Sequence, residues 1–160
     1  MILYHGTTEV IKHPDISFSK DYLDFGKGFY LTTFQEQAEK WAKRKALRKQ
    51  RTAVINVYDL CNHLERYKVL RFEKENEKWL DFVCACRRGE RVYERYDIII
   101  GAVANDDVFK TVDLYFRGVW DKQKTLSQLR YYKMNDQVCI TSQTVLKNEL
   151  IYQRSYQVER

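Results

Sequence analysis

The sequence predicts an α+β domain, with a split, mostly antiparallel β-sheet as its core and helices flanking it. Two observations carry this. Segments with helical periodicity cluster between the strand-like runs instead of alternating with them one for one. No Gly-x-Gly-x-x-Gly opens a helix after a strand, which sets a doubly wound nucleotide-binding fold aside. With 160 residues, 44% of them apolar, the chain can build one substantial core, so residues 1–160 read as a single domain.

Residues 2–4 form a short strand that enters His5-Gly6-Thr7, and the polar stretch 14–24 is a loop. Gly26-Lys27-Gly28 turns into a strand over 29–33. Phe34, Ala38, Trp41 and Ala42 recur at helical spacing and mark one face of a helix reaching about Gln50. β-branched content predicts a strand over 53–58, and a further strand follows over 68–72. Asn76 caps a helix through Arg87 that buries Trp79, Leu80 and Val83 and stops at Gly89. The apolar run 96–103 is a central strand. Asn105 or Asp106 then caps a short helix with Val108, Phe109 and Val112 inward. A helix over 124–133, a strand over 136–141, a helical turn over 144–148 and a closing strand over 149–157 complete the chain.

Lys and Arg outnumber Asp and Glu by 28 to 22, a net charge of +6 that favours polyanionic partners: nucleic acid, a dinucleotide or an acidic protein. No apolar run is long enough for a membrane helix, and the first residues carry no signal-peptide pattern, so the expected location is the cytoplasm. Cys61, Cys84, Cys86 and Cys139 lack zinc-site spacing and read as free thiols. His5, His13 and His63 show no ligand spacing either, so no metal is expected.

Three segments carry candidate chemistry. Tyr4-His5-Gly6-Thr7 ends the first strand, where a fixed imidazole donates a hydrogen bond and the glycine lets a flat ligand approach the backbone; a His beside a Gly is also an ordinary turn residue. In the run from Asp24 to Thr33, Tyr30 alternates with Phe29 and Leu31 and so faces a cleft if they face the core. Trp41, eleven residues on, is either plain core or the second wall of an aromatic slot with Tyr30. In Asn135-Asp136-Gln137-Val138-Cys139-Ile140, Gln137 points away from Val138 and Ile140, as either a site residue or a strand-edge polar group.

Together these segments resemble the ADP-ribosyltransferase clan of the diphtheria-toxin and poly(ADP-ribose) polymerase type. Its signature is a His on the first strand, a Tyr on a strand after a Gly-Lys-Gly turn, and a late polar residue, usually Glu. His5, Tyr30 and Gln137 stand at these positions. Within the clan the chain also resembles a compact bacterial family of unknown function. The shared runs are Asp-Phe-Gly-Lys-Gly-Phe-Tyr, Trp-Leu-Asp-Phe-Val at 79–83, Arg-Arg-Gly at 87–89 and Tyr-Asp-Ile-Ile-Ile-Gly-x-Val-Ala-Asn-Asp at 96–106.

The resemblance implies an ADP-ribosyltransferase-like fold with NAD+ as co-substrate. It gives catalytic roles to His5, Tyr30 and Gln137 and dinucleotide contacts to His5, Gly6, Thr7, Gly28, Tyr30 and Trp41. Gly6 would pair with the nicotinamide amide, His5 with an adenosine-side ribose hydroxyl, and Tyr30 and Trp41 would sandwich the nicotinamide. Gln137 departs from the usual Glu. It can bond a ribose hydroxyl but brings no charge to an oxocarbenium-like transition state, which points to single transfer rather than chain elongation. Asp136 is adjacent but faces the other way, and Asp106 and Asp107 are further candidate carboxylates. The expected activity is mono-ADP-ribosylation of a protein or nucleic acid, as the toxin of a toxin–antitoxin or defence pair with a small acidic antitoxin as partner. A weak or inactive NAD- or ADP-ribose-binding module and an NAD+ glycohydrolase are the alternatives. Lys40, Lys43, Arg44, Lys45, Arg48, Lys49 and Arg51 form a basic stretch that reads as a nucleic-acid patch, an antitoxin dock or a solvated face.

Overall fold

The computed structural model describes residues 1–103, 106–129 and 135–159, with the side chains of Asp106 and Asp107 excepted. In chain order its strands are β1 (Ile2–Thr7), β2 (Phe29–Leu31), β3 (Ala53–Leu60), β4 (Val69–Arg71), β5 (Ile98–Gly101), β6 (Gln137–Ile140) and β7 (Leu150–Val158). The helices are α1 (Gln35–Lys49), α2 (Glu77–Arg87), α3 (Asp106–Phe116), α4 (Lys122–Leu129) and α5 (Gln143–Asn148). The class is α+β, as the clustering of helical segments predicts.

The sheet is split in two. One half runs β1-β3-β7 and is antiparallel throughout; the other runs β2-β6-β5-β4, with only β4–β5 parallel. The halves meet over a shared core in which Leu3, Tyr58, Leu60 and Leu150 pack with Phe29, Leu31, Ile98, Ile100, Val138 and Ile140. The far face of the first half (Ala53, Ile55, Val57) lies under Ala38, Ala42 and Ala46 of α1. The far face of the second half carries Ile99 and Cys139 under Trp79, Leu80 and Val83 of α2, Val108 and Val112 of α3 and Leu129 of α4. Strand alternation produces this order directly, since odd and even positions of β3 and β6 serve different cores.

Local chemistry explains the element ends. The Asn76 side chain accepts from the Trp79 backbone N–H at 3.0 Å, and Gly89 follows α2 at φ +88°, so this helix stops where the sequence says it should. Elsewhere the structure corrects the expectations. His5, Gly6 and Thr7 belong to β1 itself, because their backbones continue the ladder with β3 as far as Thr7–Val54. β2 ends at Leu31, and β5 spans only Ile98–Gly101. Phe34 is the residue before α1 and is exposed, so the buried stripe of that helix is Gln37, Ala38, Ala42 and Ala46. Phe109 also faces out, beneath the Arg87 guanidinium at 4.5 Å. A 3-10 turn at Ile16–Phe18 interrupts the expected loop, and another at Val92–Arg95 precedes β5. Asn105 and the end of the helix expected to reach residue 133 lie outside the described residues.

Candidate functional site

The two half-sheets are joined at one backbone pairing. The Tyr4 N–H donates to the Thr32 carbonyl at 2.8 Å and the Thr32 N–H returns to the Tyr4 carbonyl at 3.0 Å. Carried one step further, that antiparallel register would set Gly6 opposite Tyr30, but the strands part there. In an antiparallel ladder, backbone groups two residues apart point to the same side. The N–H and C=O of Gly6 therefore face the parting, as those of Tyr4 face Thr32.

α1 crosses behind this opening at close range. A Cβ on Gly6 would lie 2.0 Å from the Ala38 carbonyl oxygen and 2.8 Å from the Ala42 nitrogen, both rigid backbone atoms. Glycine is required here by the helix, and the same requirement keeps the Gly6 backbone bare. Gly28 answers to another neighbour: a Cβ there would meet Cys139 Sγ at 2.4 Å and the Ile140 carbonyl oxygen at 2.8 Å, so this glycine lets the turn pack onto β6.

His5 spans the parting. Its ring stacks on Phe29, centroids 4.4 Å apart, and its Nδ1 donates to the Tyr30 carbonyl at 2.6 Å. A carbonyl only accepts, so Nδ1 carries the proton. Burial, reinforced by the Lys45 charge and opposed by the bond to Tyr30, pushes the His5 pKa down to about 3. The ring is therefore neutral, and Nε2 offers a lone pair. The Tyr30 ring packs at the edge of the second core, with its hydroxyl donating to the Gly26 carbonyl at 2.6 Å and accepting from the Phe25 N–H at 3.0 Å. Burial drives its pKa up. A phenol held this way is a fixed wall rather than a proton donor.

Gln137 faces away from Val138 and Ile140, on the same side of the sheet as Tyr30, as the alternation predicts. It is 4% exposed, and its Nε2 donates to the Ala102 carbonyl at 3.3 Å; no hydrogen bond among the described residues engages its amide oxygen. The Asp136 carboxylate is committed elsewhere. It accepts from Thr32 Oγ1 at 2.7 Å, from the Thr33 N–H at 2.9 Å and from Thr33 Oγ1. The side chains of Asp106 and Asp107 lie outside the described residues.

Trp41 is half-buried on α1 and makes no ring contact with Tyr30 among the described residues. Its place follows from its helix face. Gln37, Trp41 and Lys45 sit at i, i+4 and i+8, one stripe beside the alanines that pack on β1. At one end of the stripe the Gln37 Nε2 donates to the Asp136 carbonyl at 2.7 Å; at the other the Lys45 Nζ donates to the Gly6 carbonyl at 2.9 Å. The stripe thus runs along the opening from β6 to β1. Burial, with Lys49, Arg48 and Lys20 nearby, lowers the Lys45 pKa to about 8. Three buried oxygens, Thr8 Oγ1 just beyond β1, Gln37 Oε1 and the Tyr156 hydroxyl on β7, have no hydrogen-bond partner among the described residues.

Hollows of about 430 and 220 Å³ lie elsewhere, around Tyr93, Lys27 and Arg91; His5, Tyr30, Trp41 and Gln137 line neither. No group of three or more metal-ligating side chains occurs among the described residues. No helix among them is long and apolar enough to cross a membrane.

A protein-family model described as "Protein of unknown function (DUF3990)" matches residues 1–152. The chain belongs to that family. A comparison with curated proteins finds no match. The matched span contains His5, Gly6, Tyr30, Trp41, Lys45 and Gln137, so the family's shared domain holds the whole opening. Sequence reasoning grouped Lys45 with six other basic residues and did not single it out. Its four-residue spacing from Trp41, and Trp41's from Gln37, was the signal that separates it from them.

Proposed function

We propose that this protein is a mono-ADP-ribosyltransferase that cleaves NAD+ and transfers ADP-ribose to a protein or nucleic acid, acting in the cytoplasm as the toxin of a toxin–antitoxin or defence pair. The observation that carries the reading is the parting of β1 and β2 at Gly6 and Tyr30. There the backbone edge of Gly6, its carbonyl held by Lys45, turns away from β3 where β1 leaves β2, with the clamped Tyr30 on β2 and the Trp41 stripe on α1 as its neighbouring elements. A flat carboxamide ring needs such surroundings: an amide-pairing backbone edge and aromatic walls that do not move.

The chemistry follows from the leaving group. Nicotinamide is cationic while attached, so it departs with the electron pair of its bond to the ribose, without prior protonation. The ribose carbon becomes oxocarbenium-like and is captured by the acceptor, which gives up its proton. The protein's share is to hold the parts. The Gly6 carbonyl and N–H pin the carboxamide, the Tyr30 ring flanks it, and His5 Nε2 accepts from a ribose hydroxyl. The Gln137 amide oxygen accepts from a hydroxyl on the nicotinamide-side ribose. Without a carboxylate at position 137 this residue gives the cation dipolar stabilisation only, which favours slow, single transfer.

The burial of Gln137 and its bond to Ala102 favour a second reading, a module that binds NAD+ or ADP-ribose without turning it over. Purified protein, labelled NAD+ and a bacterial lysate separate the two. Under the transferase reading label enters macromolecules, nuclease or protease removes it according to the acceptor, and His5→Ala/Tyr30→Ala abolishes it. NAD+ bound and left intact selects the module, and free ADP-ribose without labelled acceptor means water is the acceptor.

A further inference from the structure

Lys45 is a half-buried ammonium with no carboxylate partner among the described residues. Where this fold buries a cation for structure it supplies a carboxylate: Arg87 meets Asp24 at 2.6 Å, and Lys122 meets Glu77 at 2.8 Å and Asp81 at 3.1 Å. Among the described residues Lys45 has only the Gly6 carbonyl, at 2.9 Å, and its charged neighbours are Arg48 and Lys49 on its own helix and Lys20 from the loop after β1. A desolvated charge surrounded by like charges is unfavourable unless an anion completes the site. No purely structural need explains a half-buried ammonium bonded to one carbonyl and set among three further cations.

The position specifies the anion. Lys45 adjoins His5 closely enough for its charge to depress the imidazole. Trp41 lies four residues earlier on the same face, about 6 Å along the axis. That is roughly the separation between a stacked ring and the phosphate of the same nucleotide. Cations grouped around one half-buried ammonium suit a compact double phosphate better than an extended backbone with evenly spaced charges.

We propose that Lys45 binds the diphosphate of a nucleotide in this opening, exchanging the Gly6 carbonyl for a phosphate oxygen. The exchange also frees that carbonyl for the carboxamide of a dinucleotide. The proposal rests on the dinucleotide reading above and names the residue that reads the phosphates.

Calorimetric titrations of ADP, inorganic pyrophosphate and nicotinamide into the full chain test it, with Lys45→Met and Lys45→Arg alongside. Wild type should bind ADP and pyrophosphate. Lys45→Met should weaken both by about tenfold or more, and Lys45→Arg should recover part of the loss. Nicotinamide affinity should not fall in Lys45→Met, since the Gly6 carbonyl is then unoccupied. The Tm of Lys45→Met at neutral pH should equal or exceed that of wild type, which separates a lost ligand contact from a damaged fold. An ADP affinity within about twofold of wild type in Lys45→Met overturns the proposal, as does a wild type that binds neither ADP nor pyrophosphate at about 1 mM. Lys45-dependent binding of a short single-stranded RNA without binding of ADP overturns it in favour of a nucleic-acid backbone. ADP bound through Lys45 by a protein that leaves NAD+ intact keeps the proposal and removes the transferase reading. NAD+ cleavage with KM unchanged in Lys45→Met does the opposite.

Discussion

Asp136 and Lys45 lie at opposite ends of one stripe of α1, and their surroundings differ in kind. The Asp136 carboxylate is matched by three donors from Thr32 and Thr33, and its carbonyl is matched by Gln37. Lys45, at the other end, holds one carbonyl and, among the described residues, no acid, beside a neutral imidazole with a spare lone pair. The first end is a carboxylate-centred joint that ties β2, α1 and the start of β6 together, although the Gln37 Oε1 there has no partner among the described residues. The second has polar capacity left over. Structural polar groups are satisfied within the chain because leaving one unmatched costs about 1–3 kcal/mol, so a half-buried ammonium among like charges, with no carboxylate partner among the described residues, marks the end that awaits a ligand.

The largest effect expected from this contrast is at the Asp136 end. Asp136→Ala strands the Thr32 and Thr33 donors and should cost about 2 kcal/mol in chemical denaturation. A loss below about 0.5 kcal/mol would mean the joint is not structural and would break the comparison.

A smaller effect is expected at the open end, on acidification. In the fold the His5 pKa is near 3, against an ordinary value of 6.5. Between those values the unfolded chain binds a proton that the folded chain refuses, so His5 lowers stability as pH falls from 6.5 towards 3 and has no effect above 6.5. From pH 7 to about pH 5.5 this amounts to about 1 kcal/mol or less, given the ring's partial exposure. Denaturation of wild type and His5→Gln at both pH values measures it. Wild type should lose more than the variant, and equal losses would show that the imidazole is not held neutral.

What the sequence revealed and what it hid follow the range of the interactions. α2 was legible at both ends because Asn76 and Gly89 act on backbone within a few residues. The facing of Tyr30 and of Gln137 was legible because strand alternation is local. The engagement of their polar atoms was not. The Tyr30 hydroxyl closes on its own turn at Gly26, and Gln137 reaches Ala102 on the far side of a 35-residue excursion. Phe34 and Phe109 were expected to face inward from helical spacing; Phe34 has the phase of Ala38 and Ala42 but precedes the first turn of α1 in extended backbone, and Phe109 turns out beneath Arg87 beside the buried Val108 and Val112. Lys45 was visible only as one member of a charge run, since its distinguishing feature is its half-burial against the Gly6 carbonyl, which depends on what the fold brings near.

The most direct measurement is amide and side-chain NMR of the full chain during titration with NAD+. The account predicts that signals of Gly6, His5, Tyr30, Trp41 and Lys45 move together and saturate, while those of Thr33 and Asp136 move least. Shifts centred instead on the 430 Å³ hollow around Tyr93, Tyr96 and Thr141, with Gly6 and Tyr30 unmoved, would contradict it.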